Sequence, residues 1–276
     1  ARKSGAHWSL WPSRRGRPHR PARRRARRGR LHRGLLAAWA GGVAFFAAVA
    51  AGLSPLAQDL LSRPSIVVRN ITAILGVPAD DTLGAYSWYM ILILAYTIAL
   101  YPVLMTLRLR REETSGRAEA VQATPVTRLR WAAGHLVVTG LGTAALMAVA
   151  GLVFGTLYAL LVGDLATDLP RFLAGALGAV PAAWCVGAVC VLAYGLLPRA
   201  STAICWAVWV LTAVLGQVAG PLYGQWGGSP LEPFHYVPNA FAAGPAPAVP
   251  ALALSAVAAI LLGGGLLALR RRDVGG

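Results

Sequence analysis

Lysine is almost missing from this chain: of its 26 basic residues only Lys3 is not an arginine. A Walker A loop needs a lysine behind its glycine-rich turn to reach nucleotide phosphates, and Lys3 has only Ala1 and Arg2 before it, so these residues hold no such loop. Acids are scarce as well, ten against 26 bases, and none interrupts the long apolar blocks. A proton-coupled pump needs ionisable groups within the membrane as its relay. The energy for any transport is therefore expected from another polypeptide. Within the blocks the one candidate proton carrier is His135, near a polar end, and it reads as a hydrogen-bonded interfacial residue.

Cysteine is also sparse. Cys185, Cys190 and Cys205 all lie in apolar blocks. The first two point about 140° apart on one helix, and no histidine is spaced to join them, so they read as small apolar fillers and no metal is expected. No cofactor is expected either. Glu112 and Glu113 have no histidine or second acidic cluster at the same face to complete a catalytic site, which leaves a membrane-embedded enzyme as the weakest reading.

What is present is apolar: 57% hydrophobic against 13% charged residues, with a mean hydropathy of +0.57, marks an integral membrane protein. Six blocks are long enough for the roughly 20 residues that cross a bilayer core. They are 35–53, 86–107, 132–162, 172–197, 202–219 and 249–269. The expected fold is all-α, a polytopic bundle of six transmembrane helices. The third block is too long for one untilted span and too short for two with a turn, so a tilted or projecting helix is expected there.

The net charge of +16 is concentrated in a tail. Residues 1–33 hold half of the basic residues together with Pro12, Pro18 and Pro21, so little order is expected beyond a helix through Ala22 to Arg33. The membrane domain follows as 34–276. Anionic lipid is the expected partner of the tail, at about 1 kcal/mol per arginine near a negative leaflet; a nucleic-acid partner is not expected. The basic run is too long for a signal peptide, and residues 35–53 lack a convincing cleavage site. Placing the tail, 108–130, Arg199 and Arg270 to Arg272 on one side leaves only Arg63, Arg69 and Arg171 opposite, so that side is expected to be cytoplasmic with both termini on it.

Two segments fall on the outer side in this arrangement. Residues 54–85 mix Leu56, Leu60, Ile66, Val67 and Ile71 with polar residues, which suits short amphipathic helices at the interface. Residues 220–250 alternate proline and glycine with Tyr223, Trp226, Phe234, Tyr236 and Phe241, which suits an aromatic belt or a re-entrant element. Within the blocks, Ala37/Gly41, Gly151/Gly155, Ala183/Gly187 and Gly263 to Gly265 would let helix backbones approach closely.

Between the second and third blocks lies a charged island, 108–131, expected to be a loop at a bilayer face. Thr114, Ala118, Val121 and Pro125 fall on one side of a helix, opposite Glu112, Gly116 and Glu119. Glu113 and Arg117 stand four apart in the favourable order, and Pro125 pushes Thr124 out of the helical region, so a short amphipathic helix is expected. The order Arg111-Glu112-Glu113, Gly116-Arg117-Ala118-Glu119 and Thr124-Pro125-Val126-Thr127-Arg128 resembles the coupling-helix loop of ABC type-2 exporter permeases, above all the actinobacterial permeases grouped as exporters of polyketide antibiotics.

That resemblance implies a permease subunit without its own ATPase. The loop, through Glu112, Glu113, Gly116, Arg117, Glu119, Thr124 and Pro125, would contact a separate ABC ATP-binding subunit. In such exporters two six-span halves are often fused, and this chain looks like the second, with the arginine-rich segment as mid-chain linker. A second six-span half, as a homodimer mate or an N-terminal half, would complete the path. The family also places re-entrant helices between the fifth and sixth spans, capping the exit. Hydrophobic or amphipathic, antibiotic- or drug-like compounds would leave the cytoplasm through the cell membrane. Because the spans offer no charge, the path wall is expected to be aromatic: Tyr89 and Tyr96 on one face of the second span, Trp206 and Trp209 on the fifth, Phe234 and Tyr236 in the cap. A phenol as deep as that of Tyr96 needs a polar partner. The alternative is a membrane scaffold or sensor that transports nothing.

Overall fold

The computed structural model describes residues 21–61, 66–75, 78, 80–114, 128–219, 230–242 and 248–274, and among these it contains helices and turns but no strand. The helices are α1 (Pro21–Gly52), α2 (Ser54–Leu61), α3 (Ile66–Leu75), α4 (Thr82–Thr114), α5 (Arg128–Leu161), α6 (Leu165–Gly178), α7 (Val180–Leu196), α8 (Ser201–Val214) and α9 (Ala248–Val274). A π-helical turn, Leu215–Ala219, extends α8, and a 3-10 turn, Pro233–Tyr236, lies between it and α9. Packing separates residues 1–38 from 39–276. In the first unit the described part is helical from Pro21, as the sequence reading of 22–33 expected.

The second unit is an all-α polytopic bundle. Among the described residues, five stretches are long and apolar enough to cross a membrane: Gly34–Leu61, Thr82–Glu112, Ala132–Leu161, Leu165–Leu196 and Ala248–Arg271. The fifth apolar block forms a shorter helix, Ser201–Gln217. The third is a single unbroken helix, α5, with 34 residues and a length of roughly 50 Å at 1.5 Å per residue.

Two regions differ from the sequence reading. The fourth block starts earlier and is two helices, α6 and α7, broken at Ala179 beside Pro181. Asp164 caps α6, its carboxylate accepting from Thr167 N at 3.0 Å, while Asp168 returns an acceptor to Asp164 N at 2.8 Å. The charged island is not a loop throughout, since α4 continues through Thr114 and α5 begins at Arg128. Arginines at the end of α4 favour its negative C-terminal dipole, and Arg108 pairs with Glu112 one turn on at 3.2 Å, so the charge prolongs the helix instead of ending it. Residues 115–127 lie outside the described residues, and with them the expected amphipathic helix and the Glu113–Arg117 pair. In the segment 54–85 the two short helices appear as α2 and α3.

The centre of the bundle is α4 with α6 and α7; 72% of the apolar window of each of these two stretches is buried, against 22% for the first and last. Small residues permit this. A Cβ on Gly195 of α7 would stand 2.6 Å from the Gly265 carbonyl of α9, so the two backbones touch directly. Gly187 likewise faces Pro102 of α4, where a Cβ would come within 2.8 Å of the ring, and Gly155 packs against Phe172. Gly41 and Gly263 meet nothing within 4 Å, so these two of the anticipated packing positions make no such contact among the described residues.

Gly195→Ala should therefore lower stability by about 1–3 kcal/mol, because backbone opposite backbone cannot yield. Gly263→Ala, in open space, should be neutral or gain up to about 1 kcal/mol from helix propensity. Melting temperatures of the two purified variants in detergent test the pair; equal values would remove the close crossing as the cause.

Candidate functional site

Two features stand out in the second unit, one apolar and one acidic. The first is a cavity of about 420 Å³ among α4, α5, α7 and α9. Pro102, Thr106, Gly140, Trp184, Val191 and Leu266 are among its walls, and among the described residues no charged side chain lines it. It forms where Pro102 and Gly187 meet, since neither fills the space beyond their contact. Trp184 lines it from α7, its Nε1 donating to the Gly140 carbonyl at 3.1 Å, so the indole N–H is satisfied. Val137 and Leu141, also in the lining, are well exposed on the bundle's outer face. Beside its lining residues Ala133 and Leu136 on α5 stands His135, half-buried with Nε2 3.1 Å from the Met105 carbonyl, the hydrogen-bonded role the sequence reading expected.

The second feature begins from the segment 230–242. Glu232 lies in this segment, and its local sequence pattern does not mark it as buried. Glu232 is 1% exposed, folded back on the second span with Oε1 accepting from the Tyr96 hydroxyl at 2.6 Å. Its Oε2 has no hydrogen-bond partner among the described residues. Burial pushes its carboxyl up to about 7, against the opposing pull of the Tyr96 hydrogen bond.

Four elements build this contact. From α4 comes Tyr96, whose carbonyl accepts from Trp209 Nε1 of α8 at 3.0 Å. The π-helical turn contributes Gly216, where a Cβ would overlap the Tyr96 hydroxyl and stand 2.7 Å from Glu232 Oε2; widened turns of this kind recur at functional sites. From the 3-10 turn Phe234 packs on Tyr96, ring centres 4.4 Å apart. Phe241 then plugs the same segment into α6, 5.1 Å from Phe172 and under the Arg171 guanidinium at 5.3 Å.

The residues expected to line a path are thus divided. Tyr96, Trp209 and Phe234 come together, with Trp206 edge-on to Trp209 at 6.3 Å and partly exposed. Tyr89 is half-buried on the same face of α4 but outside that cluster, and Tyr236 is exposed, its hydroxyl donating to the Pro230 carbonyl at 2.9 Å. None of the six lines the cavity. Of the loop residues, Glu112 and Glu113 end α4, while Gly116, Arg117, Glu119, Thr124 and Pro125 lie outside the described residues. Residues 220–229 and 243–247 of the expected re-entrant segment also do.

The sequence model of a family described as multidrug efflux system permease Rv1217c, C-terminal domain, matches residues 28–270. This chain belongs to that family. The multidrug efflux system permease protein Rv1217c of Mycobacterium tuberculosis (strain ATCC 25618 / H37Rv) is 36% identical to it over 251 residues, 89% of this chain and 44% of the relative. The chain thus spans less than half the length of that curated relative. The match to a C-terminal domain agrees with the resemblance to a second permease half.

Gly216→Ala should drive the Tyr96 phenol off Glu232 and destabilise the fold by about 1–3 kcal/mol. Tyr96→Phe, which keeps the ring on Phe234 and loses only the hydroxyl, should cost about 1 kcal/mol. Detergent melting curves that rank the two equal to the unsubstituted protein would show that this contact does not hold the segment in place.

Proposed function

We propose that this chain is the membrane-spanning half of an ATP-driven exporter in the cell membrane, carrying hydrophobic or amphipathic drug-like compounds outward. The supporting observation is the charge-free cavity of about 420 Å³, inside the size range of pockets that take drug-sized ligands. Its walls near Thr106, Ala133 and Leu266 lie a few residues from the arginines that end α4, open α5 and end α9. With those arginines in the cytoplasm, the cavity would draw compounds from the inner leaflet, and its exposed flank at Val137 and Leu141 would be closed by a second six-span half. The relative's greater length is compatible with both halves in one polypeptide. A separate ATP-binding subunit would dock at 108–131, and anionic lipid would hold the tail.

Filling the cavity tests the path. Gly140→Leu places bulk where the nearest foreign atom to a Cβ is Trp184 Nε1 at 3.7 Å. Export of hydrophobic compounds from cells or loaded vesicles should fall roughly tenfold, a barrier change of about 1.4 kcal/mol, with membrane level unchanged. Undiminished export of every compound would move the path elsewhere, and no export even with the ATP-binding subunit supplied would favour a scaffold or sensor.

Coupling is tested at the loop. Gly116→Pro should cost the amphipathic helix about 3 kcal/mol and reduce compound-stimulated ATP turnover without loss of the protein from the membrane. Glu119→Lys should weaken co-purification of the ATP-binding subunit most at low salt, since exposed charges act through screened fields. If neither variant changes turnover or co-purification, 108–131 only orients the chain.

A further inference from the structure

The buried carboxyl of Glu232 has no use in the path just described, and the groups around it leave few explanations. From α4 it meets the Tyr96 phenol, and from the π-helical turn it meets Gly216, which has no side chain. Two further helices, α7 and α9, pack on its 3-10 turn. The first contains no acid, lysine, arginine or histidine, and the second none before Arg270. On α8, Ser201–Val214, there is no aspartate, glutamate, lysine, arginine or histidine. Within its own segment the His235 ring turns edge-on to Tyr236 at 4.9 Å, and Arg171 of α6 lies over Phe241. Among the described residues no cation forms an ion pair with Glu232. The neighbouring stretch 220–229 contains no acid or base in its sequence, so no counter-ion comes from there either.

An ionised carboxylate held dry by one phenol donor is strongly disfavoured, and a buried charge that lacks a partner neutralises by taking up a proton. A proton needs no cavity, which matters because the space a Cβ would occupy at Gly216 is already taken by the phenol and Oε2. We propose that Glu232 and Tyr96 form a proton-binding latch: with the proton bound, the segment 230–242 is seated on the bundle, and losing it frees the segment. Phe234 and Phe241 supply the apolar part of the seat, and Glu232 supplies its dependence on pH.

The sign follows from the direction of the shift. Seating raises the carboxyl from an ordinary 4.5 to about 7. The seated state therefore binds the proton more tightly than the free one. Its advantage is full below the ordinary value, declines by up to tenfold per pH unit above it, and is gone once the pH has passed about 7. This inference concerns how the segment is held and stands independently of what the chain carries.

Hydrogen exchange of the full-length protein in lipid nanodiscs reads it directly. Protection of backbone amides in 230–242, corrected for the intrinsic pH dependence of exchange, should fall at least tenfold between about pH 5 and pH 7.5. Glu232→Gln, uncharged at every pH, should stay at the low-pH level throughout. Equal slopes in both proteins would assign the titration to another group such as His235, and a flat profile in the unsubstituted protein would likewise overturn the latch. Should Glu232→Gln fail to accumulate, Tyr96→Phe serves instead: removing the donor that favours the ionised form should move the midpoint to higher pH. An unmoved or lowered midpoint would count against it. Infrared spectra supply the complementary reading, a protonated-carboxyl stretch that persists to about pH 6 and is lost above it. Its loss near pH 4 to 5, the range of an ordinary carboxyl, would show that the seated form carries no proton and end the proposal.

Discussion

Helices already surrounded by lipid gain little from exchanging one apolar contact for another, so what holds them together is how closely their backbones approach. In this bundle that constraint falls on α7. Its sequence, Val-Pro-Ala-Ala-Trp-Cys-Val-Gly-Ala-Val-Cys-Val-Leu-Ala-Tyr-Gly-Leu, is dominated by small and β-branched residues and is mostly buried. One side takes Pro102 of α4 against Gly187, and the other takes the Gly265 backbone of α9 against Gly195. Cys185, buried on the same helix, gives its thiol to the Leu254 carbonyl at 3.2 Å. With α7 as common neighbour, α4 becomes central as well, and α1, α5 and α9 are left with broad apolar outer faces such as Phe45, Val137, Leu141 and Ile260. The cavity is the gap that remains between these close crossings.

The few polar side chains inside the bundle are placed by what they can bond. His135 and Trp184 reach helix carbonyls of Met105 and Gly140, bonds that need no charged partner. Thr106, Thr139 and Thr143 return their hydroxyls to carbonyls one turn back. Tyr96 is different, because its hydroxyl projects to a group 136 residues away in sequence. This places the only described acid that is fully buried at the seat of the 230–242 segment.

How much could be read beforehand follows from the range of each interaction. Runs of about 20 apolar residues announce a membrane helix by themselves, which is why the apolar blocks and the unbroken α5 were legible. The break at Ala179 was not, since apolar composition continues across it and only Pro181 marks the restart. Reading charge as loop failed at Arg108 to Thr114 because arginine and glutamate are good helix formers and pair along the helix. For Tyr96 the need for a partner was legible from depth alone. The partner was not, because Glu232 sits among Pro230, Leu231, Pro233 and Phe234 in a stretch whose local pattern reads as a surface turn. The aromatic density around it was the available signal, since a 3-10 turn that buries Phe234 also draws in the residue before Pro233. The cavity has no local sequence signature at all; its lining comes from four helices.

One helix, α8, touches α4 both near the charged island and beside the buried acid. At its start Thr202 receives a hydrogen bond from Arg110, in the last turns of α4 beside the charged island. Farther along, Trp209 holds the Tyr96 carbonyl, and the turn that follows supplies Gly216, without whose missing side chain Tyr96 could not reach Glu232. A helix of 14 residues is stiff over its roughly 21 Å. At the π-helical turn that follows, the fit of Tyr96 against Gly216 leaves no room for a side chain. Side chains packed in this way change by switching between discrete arrangements more readily than by stretching. The geometry thus places the seat of the 230–242 segment at the far end of the same stiff element that the charged end of α4 grips.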